Sequence, residues 1–147
     1  MLEILIGSFI ASLGFGILFN IKGKNLFLAA IGGSLGGFVY QLCLNSGTGD
    51  ISAMFIASIC FSLYSEILAR MAHTPVTTYI ICALIPLVPG GGMYRTMLAA
   101  IQGKVIDALT LGLDTMTIAG ALVLGILLVS TITKGITKRK RAKEVNV

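Results

Sequence analysis

The chain has 147 residues, of which 56% are hydrophobic and only 12% are charged. Soluble domains carry about 25% charged residues. A chain this short exposes a large share of its residues, so half the usual charged fraction cannot cover the surface of a soluble domain. The composition excludes an ordinary soluble domain, and it excludes disorder, which needs low hydrophobicity. A polytopic membrane protein remains.

Five segments approach the roughly 20 mainly apolar residues that a membrane-spanning helix needs. In chain order they are Leu2–Asn20, Leu26–Leu44, Ile51–Met71, Val76–Gln102 and Leu113–Thr133. Short polar or turn-rich stretches separate them, and nothing in the sequence favours a strand. The sequence therefore predicts an all-α polytopic membrane protein, with a transmembrane domain over residues 1–134 and a basic tail over residues 135–147.

The positive charges predict an orientation. Six of the eleven Lys and Arg residues lie between Lys134 and Lys143. If the tail is cytoplasmic, five spans place Lys22, Lys24 and Arg70 on the same side and leave Lys104 alone outside, as the positive-inside rule requires. We expect the tail to contact anionic lipid. A basic stripe interleaved with aromatic residues, typical of nucleic-acid binding, is absent from the sequence.

The second apolar segment is rich in glycine. Gly33 and Gly37 are four residues apart, and so are Gly32 and Gly36. Small residues at this spacing let two membrane helices approach closely. We therefore predict that this face is a helix-packing surface and that it does not bind a nucleotide.

The fourth segment is interrupted at Pro86–Gly92, which has the sequence PLVPGGG. Pro86 and Pro89 lack an N–H, so the carbonyls of Cys82 and Ile85 lose their helical partners. Unpaired backbone is tolerated in a membrane only where it is buried in protein or lines a water-filled cavity. We predict a broken helix that restarts near Met93, and the segment is compatible with crossing once, crossing twice or re-entering.

The restarted helix is the candidate substrate site. The amides of Gly90, Gly91 and Gly92 lie where a helix N-terminus attracts anions. Arg95 follows one turn later, and its planar guanidinium suits a carboxylate. Tyr94 is a candidate substrate contact, with anchoring at the membrane surface as the alternative. A proline kink that only shapes packing, with Arg95 reaching the interface, is the structural alternative.

The third segment carries a polar stripe. Ser58, Ser62 and Glu66 share one helix face at a spacing of four residues, and a polar membrane face contacts protein or water. These residues are candidates for a cavity wall or a proton path. The alternative for Glu66 is a local ion pair with Arg70, four residues later. Because His73 is the single histidine, no metal site is predicted, and no other cofactor is expected.

The motif IPLVPGGGMYR, residues 85–95, and the motif FGILFN, Phe15–Asn20, resemble the small subunit of the threonine/serine exporter family. The resemblance covers nearly the whole chain. It implies export of small carboxylate metabolites, either threonine and serine or a dicarboxylate such as succinate. It also implies a larger membrane subunit as partner.

The sequence and the resemblance together favour a subunit of a bacterial inner-membrane exporter, driven by the proton gradient. A non-transporting membrane scaffold or assembly subunit is the alternative. That alternative predicts that Arg95 and Glu66 tolerate neutral replacement, whereas the glycine face does not. An enzyme is disfavoured, because no Ser/His/Asp or metal-ligand arrangement is found in the sequence.

Overall fold

The computed structural model describes residues 2–145, with side chains as far as residue 136. Every regular element in that part of the chain is a helix. The helices are α1 (Leu2–Leu18), α2 (Lys24–Asn45), α3 (Asp50–Met71), α4 (Val76–Leu84), α5 (Gly90–Ile101) and α6 (Val105–Val145), and a short 3-10 turn, Ile85–Leu87, follows α4. The predicted all-α class is confirmed for the described residues.

Three of the described helices are long and apolar enough to cross a membrane: Lys24–Asn45, Asp50–Met71 and the Val105–Ile136 part of α6. The pair Val76–Leu87 and Gly90–Ile101 meets the same criterion together, but the two parts are bent by 50°. Length and composition allow this pair to be a broken span or a re-entrant segment. Helix α1 is apolar but has only 17 residues, or about 26 Å against a hydrocarbon core of about 30 Å.

The direction of each helix follows from its contacts. Helices α1 and α2 run antiparallel, because Ser8 lies against Gly37 and Ser12 against Gly33. Helix α3 is antiparallel to α2, with the Tyr64 ring near Gly32. Helices α3 and α6 are parallel, since Ser58 faces Gly125 and Arg70 Nη2 donates to the carbonyl of Thr133 at 3.2 Å. The start of α1, the end of α2 and the start of α3 therefore lie at one end of the bundle.

Two buried clusters hold the helices together. The first joins α3, α4, the 3-10 turn and α6, through Met54, Ala57, Phe61, Ala83, Leu87 and Leu122. The second joins α2, α3 and α4 around Tyr79, which is 1% exposed. The Tyr79 hydroxyl donates to Asn25 Oδ1 at 3.1 Å and accepts from Thr74 Oγ1 at 3.2 Å. A buried tyrosine needs such partners, and these fix α4 against the start of α2.

The last helix differs most from the prediction. It begins at Val105, well before the predicted Leu113, so most of the expected polar connection is helical. This extra part of α6 packs against α5, with Thr96 close to Gly112. Helix α6 also runs on to Val145. The predicted basic tail, residues 135–147, lies almost entirely beyond the described side chains.

Candidate functional site

The chain changes direction at Val88 and Pro89, between the 3-10 turn and α5. The carbonyls that the two prolines orphan both have partners. The Cys82 carbonyl accepts from the hydroxyl of Ser12 on α1 at 2.9 Å, and both residues are fully buried. The Ile85 carbonyl accepts from the Val88 amide at 3.4 Å. Donors from the protein therefore hydrogen-bond both carbonyls at the interruption, as the absence of water in a bilayer core requires.

Helix α5 begins at Gly90, three residues earlier than the predicted Met93. The Pro89 carbonyl accepts from the amides of Gly92 and Met93, at 3.1 and 3.2 Å, and the Gly90 amide donates to the Val88 carbonyl at 2.7 Å. Because these bonds close the first turn, the helix restarts directly after the proline. Of the three glycine amides, that of Gly91 makes none of these turn bonds.

The Arg95 side chain folds back over this turn. Its Nη2 atom lies 3.8 Å from the position that a Cβ on Gly91 would occupy. Long helical side chains point toward the N-terminus of their helix, so the guanidinium reaches the first turn of α5. Arg95 is exposed, and within residues 2–136 it forms no ion pair. The positive end of the helix dipole and the guanidinium charge thus coincide.

A cavity of about 540 Å³ opens beside this turn. It is lined by Ile4, Ser8, Gly37, Tyr40, Gln41, Asp50, Met54, residues 86–92, Arg95, Leu111, Asp114, Thr115 and Ile118. These residues come from every helix except α4, at the end of the bundle where α1 begins and α2 ends. The volume is typical of small-molecule sites, which range over about 300–1,000 Å³.

The cavity carries both signs of charge. Asp50 at the start of α3 and Asp114 on α6 line it together with Arg95. The Tyr40 hydroxyl donates to Asp50 Oδ1 at 3.5 Å. Sequence reasoning missed both acids, because Asp50 ends a turn-rich loop and Asp114 is the second residue of the predicted last span. Their position relative to Arg95 depends on how the helices pack. The signal that could have indicated Asp114 is that it is a lone acid in a predicted apolar span.

Gly92 lines the cavity but also packs against α6, whereas Tyr94 lies outside the cavity. A Cβ on Gly92 would overlap Thr115 Oγ1 of α6, so this glycine lets α5 and α6 approach closely. Tyr94 is 68% exposed and is not among the residues that line the cavity. Within the described residues, no group of three or more His, Cys, Asp or Glu side chains is placed to hold a metal ion.

Comparison with known protein families decides the broad class. The family described as Threonine/Serine exporter, ThrE, matches residues 4–132, which include every residue that lines the cavity. The chain belongs to the threonine/serine exporter family. Family membership and the apolar helices indicate a membrane transporter and not an enzyme. No solved structure matches this exporter-family chain.

The polar stripe of the exporter lies away from the cavity. Ser58 and Gly125 are in contact where α3 meets α6, and Ser58 Oγ donates to the Phe55 carbonyl at 2.7 Å. Ser62 is also fully buried, and its hydroxyl has no hydrogen-bond partner within the described residues. Glu66 is 6% exposed, and its Oε2 lies 3.6 Å from Arg70 Nη2. None of Ser58, Ser62 and Glu66 is among the residues that line the cavity.

The glycine face of the exporter contacts α1, α3, α4 and the 3-10 turn. Gly33 and Gly37 face Ser12 and Ser8 of α1, and an added Cβ at either glycine would overlap the serine side chain. On the other side of α2, Gly32 lies against the Tyr64 ring, while Gly36 lies against Leu87 and Phe61. Helix α2 therefore lies between α1 on one side and α3 and the 3-10 turn on the other.

Proposed function

We propose that the chain is a subunit of a bacterial inner-membrane secondary transporter. In this proposal it exports small carboxylate metabolites, threonine and serine or a dicarboxylate such as succinate. The observation that carries the proposal is the 540 Å³ cavity at the α5 turn, where Arg95 lies over Gly91. Broken helices whose N-termini point at a substrate carboxylate are a recurring device of secondary transporters.

Two sources of positive potential support carboxylate binding. The guanidinium of Arg95 presents paired donors that match the two carboxylate oxygens. The free amide of Gly91 adds a donor at the positive end of the helix dipole. Gly90 and Gly92 shape the turn, because their own amides donate to backbone carbonyls. Tyr94 is assigned to the membrane surface, in keeping with its exposure.

A five-span arrangement is part of the proposal. It counts α1 and the bent pair Val76–Ile101 as spans beside the three helices that meet the length criterion. Lys24 and Arg70 lie at the end of the bundle opposite Asp50. The positive-inside rule then makes that end cytoplasmic. The C-terminus is cytoplasmic too, and the cavity opens toward the outside, where an exporter releases its substrate.

Proton coupling is assigned to the α3 stripe. Glu66 is a buried carboxylate in a membrane helix, and such groups serve as proton relays in transporters. The buried hydroxyls of Ser62 and Ser58 lie one and two turns before Glu66 on the same face. The stripe does not line the cavity, but Met54 does, and it lies four residues before Ser58. The stripe therefore continues the same face of α3 away from the cavity.

A larger membrane subunit completes the proposed transporter. The exposure of α6 supports the idea that a second subunit covers part of the chain. Only 22% of its apolar window is buried, compared with 50% for α3. Lipid covers whatever part of that face the partner leaves free.

The test is export from cells that express both subunits. Arg95→Ala is expected to abolish export of the carboxylate substrate, and Arg95→Lys to restore only part of it, because a lysine cannot bind bidentately. Lys104→Ala is the matched control. It removes a nearby cation that does not line the cavity, and export should be retained.

The alternative predicts a different result. Unimpaired export by well-inserted Arg95→Ala protein would refute the carboxylate site and favour a non-transporting scaffold or assembly subunit. In that case replacement of Gly33, which packs against Ser12, would still disrupt the complex.

A further inference from the structure

Asp114 on α6 lines the cavity but has no role in the proposed carboxylate site. Asp114 lies within the Val105–Ile136 candidate span, and an ionisable residue in a membrane helix marks a functional position by default. It lines the same cavity as Arg95. We propose that Asp114 is a specificity-determining residue, whose carboxylate binds the ammonium group of an amino-acid substrate. This inference rests on the proposed function.

The packing of α5 on α6 places both residues, Asp114 and Arg95, beside the same cavity. Thr115, the neighbour of Asp114, contacts Gly92 in the first turn of α5. The Arg95 guanidinium lies over Gly91 in that same turn. Both side chains therefore reach the cavity beside the turn, and they come from two different helices.

Asp114 is also the acid that remains available. Asp50 accepts a hydrogen bond from the Tyr40 hydroxyl at 3.5 Å. Within residues 2–136, the carboxylate of Asp114 has neither an ion-pair partner nor a side-chain donor, and Arg95 has no ion-pair partner either. Two opposite charges that share a cavity without pairing form a dipolar site.

A dipolar site discriminates between substrates by charge. The carboxylate of an amino acid would bind at Arg95 and its ammonium group at Asp114, each through a charge-assisted hydrogen bond. The second carboxylate of a dicarboxylate would instead meet Asp114 as a like charge. Specificity commonly combines such an attractive contact with a repulsive one.

The experiment measures binding to the complex of this chain with the proposed larger subunit, co-purified in detergent. The probes are radiolabelled threonine and its 2-hydroxy analogue, in which an uncharged hydroxyl replaces the ammonium group. Asp114→Asn is expected to weaken threonine binding roughly tenfold or more and to leave binding of the 2-hydroxy analogue unchanged. Asp114→Glu should recover part of the preference for threonine.

Asp107→Asn is the matched control, because Asp107 lies on the same helix but does not line the cavity. It should change neither affinity. The inference is overturned if Asp114→Asn keeps the preference for threonine, or if it weakens both ligands equally, as a purely structural role would. Arg95→Ala separates the two proposals. If it retains both ligands, the carboxylate site itself is refuted, whereas loss of both ligands with an unchanged Asp114→Asn preference refutes only the role of Asp114.

Discussion

Ser12→Ala tests how the proline interruption is held together. The Ser12 hydroxyl donates to the Cys82 carbonyl at 2.9 Å, and both residues are fully buried. Pro86 has no N–H to replace that donor. An unpaired buried carbonyl costs about 1–3 kcal/mol, although hydrogen bonds between membrane helices average about 0.6 kcal/mol and reach about 1.7. We expect Ser12→Ala to destabilise the packing of α4 by about 1–2 kcal/mol, because this carbonyl has no other donor among the described residues. That energy corresponds to a factor of about 5–30 in an opening equilibrium.

The thiol of Cys82 provides the assay. It is fully buried, so alkylation by a maleimide reports opening of α4 in a chain where Cys43 and Cys60 are alanine. Slow alkylation that follows a fast opening equilibrium measures the free energy of that opening. The rate in the Ser12→Ala variant should rise by the same factor of about 5–30. Ser52→Ala is the control, because Ser52 is exposed on α3.

A double-mutant cycle then tests the cause. Pro86→Ala restores an N–H that can donate to the Cys82 carbonyl, so in that background Ser12→Ala should have a much smaller effect. Such a difference is the coupling energy between the two positions. The reasoning is refuted if Ser12→Ala raises the alkylation rate equally in both backgrounds, or no more than Ser52→Ala does.

Two further predictions follow from packing and charge. Gly92→Ala should destabilise the chain by about 1–3 kcal/mol through overpacking, as measured by thermal unfolding in detergent. Adding Thr115→Ala should recover most of that loss. A Gly92→Ala chain as stable as wild type would contradict the close contact. Glu66→Gln should change stability by less than about 1 kcal/mol, because its partner Arg70 is half exposed, yet it should abolish proton-driven export, since glutamine cannot release a proton. Undiminished export at every pH would rule out Glu66 as the proton carrier.

Long apolar runs with clear ends were predictable from the sequence. The predicted segments Leu26–Leu44 and Ile51–Met71 differ by at most two residues from the helices Lys24–Asn45 and Asp50–Met71. Each run is bounded by turn-forming residues, so local composition is enough to locate its ends. The start of α5 was less predictable, because it depends on which amides the Pro89 carbonyl accepts.

The candidate site was only half visible in the sequence. Arg95 and the glycine turn are close together in the chain, so their cooperation follows from a spacing of a few residues. Asp114 reaches the same cavity only because Thr115 packs against Gly92. Contacts between helices cannot be deduced from the pattern of any one helix. The donor for the Cys82 carbonyl was hidden for the same reason, because Ser12 lies 70 residues away in sequence.

That separation in sequence has a consequence for biosynthesis. Helices α1 and α2 leave the ribosome before α4, so they can form their antiparallel hairpin in the membrane before α4 is translated. The Ser12 hydroxyl is then already in place when the proline-containing segment is inserted. The Cys82 carbonyl can form a hydrogen bond to it instead of being left unpaired in hydrocarbon. Loss of α1 and α2 is therefore expected to impair insertion of the proline-containing segment.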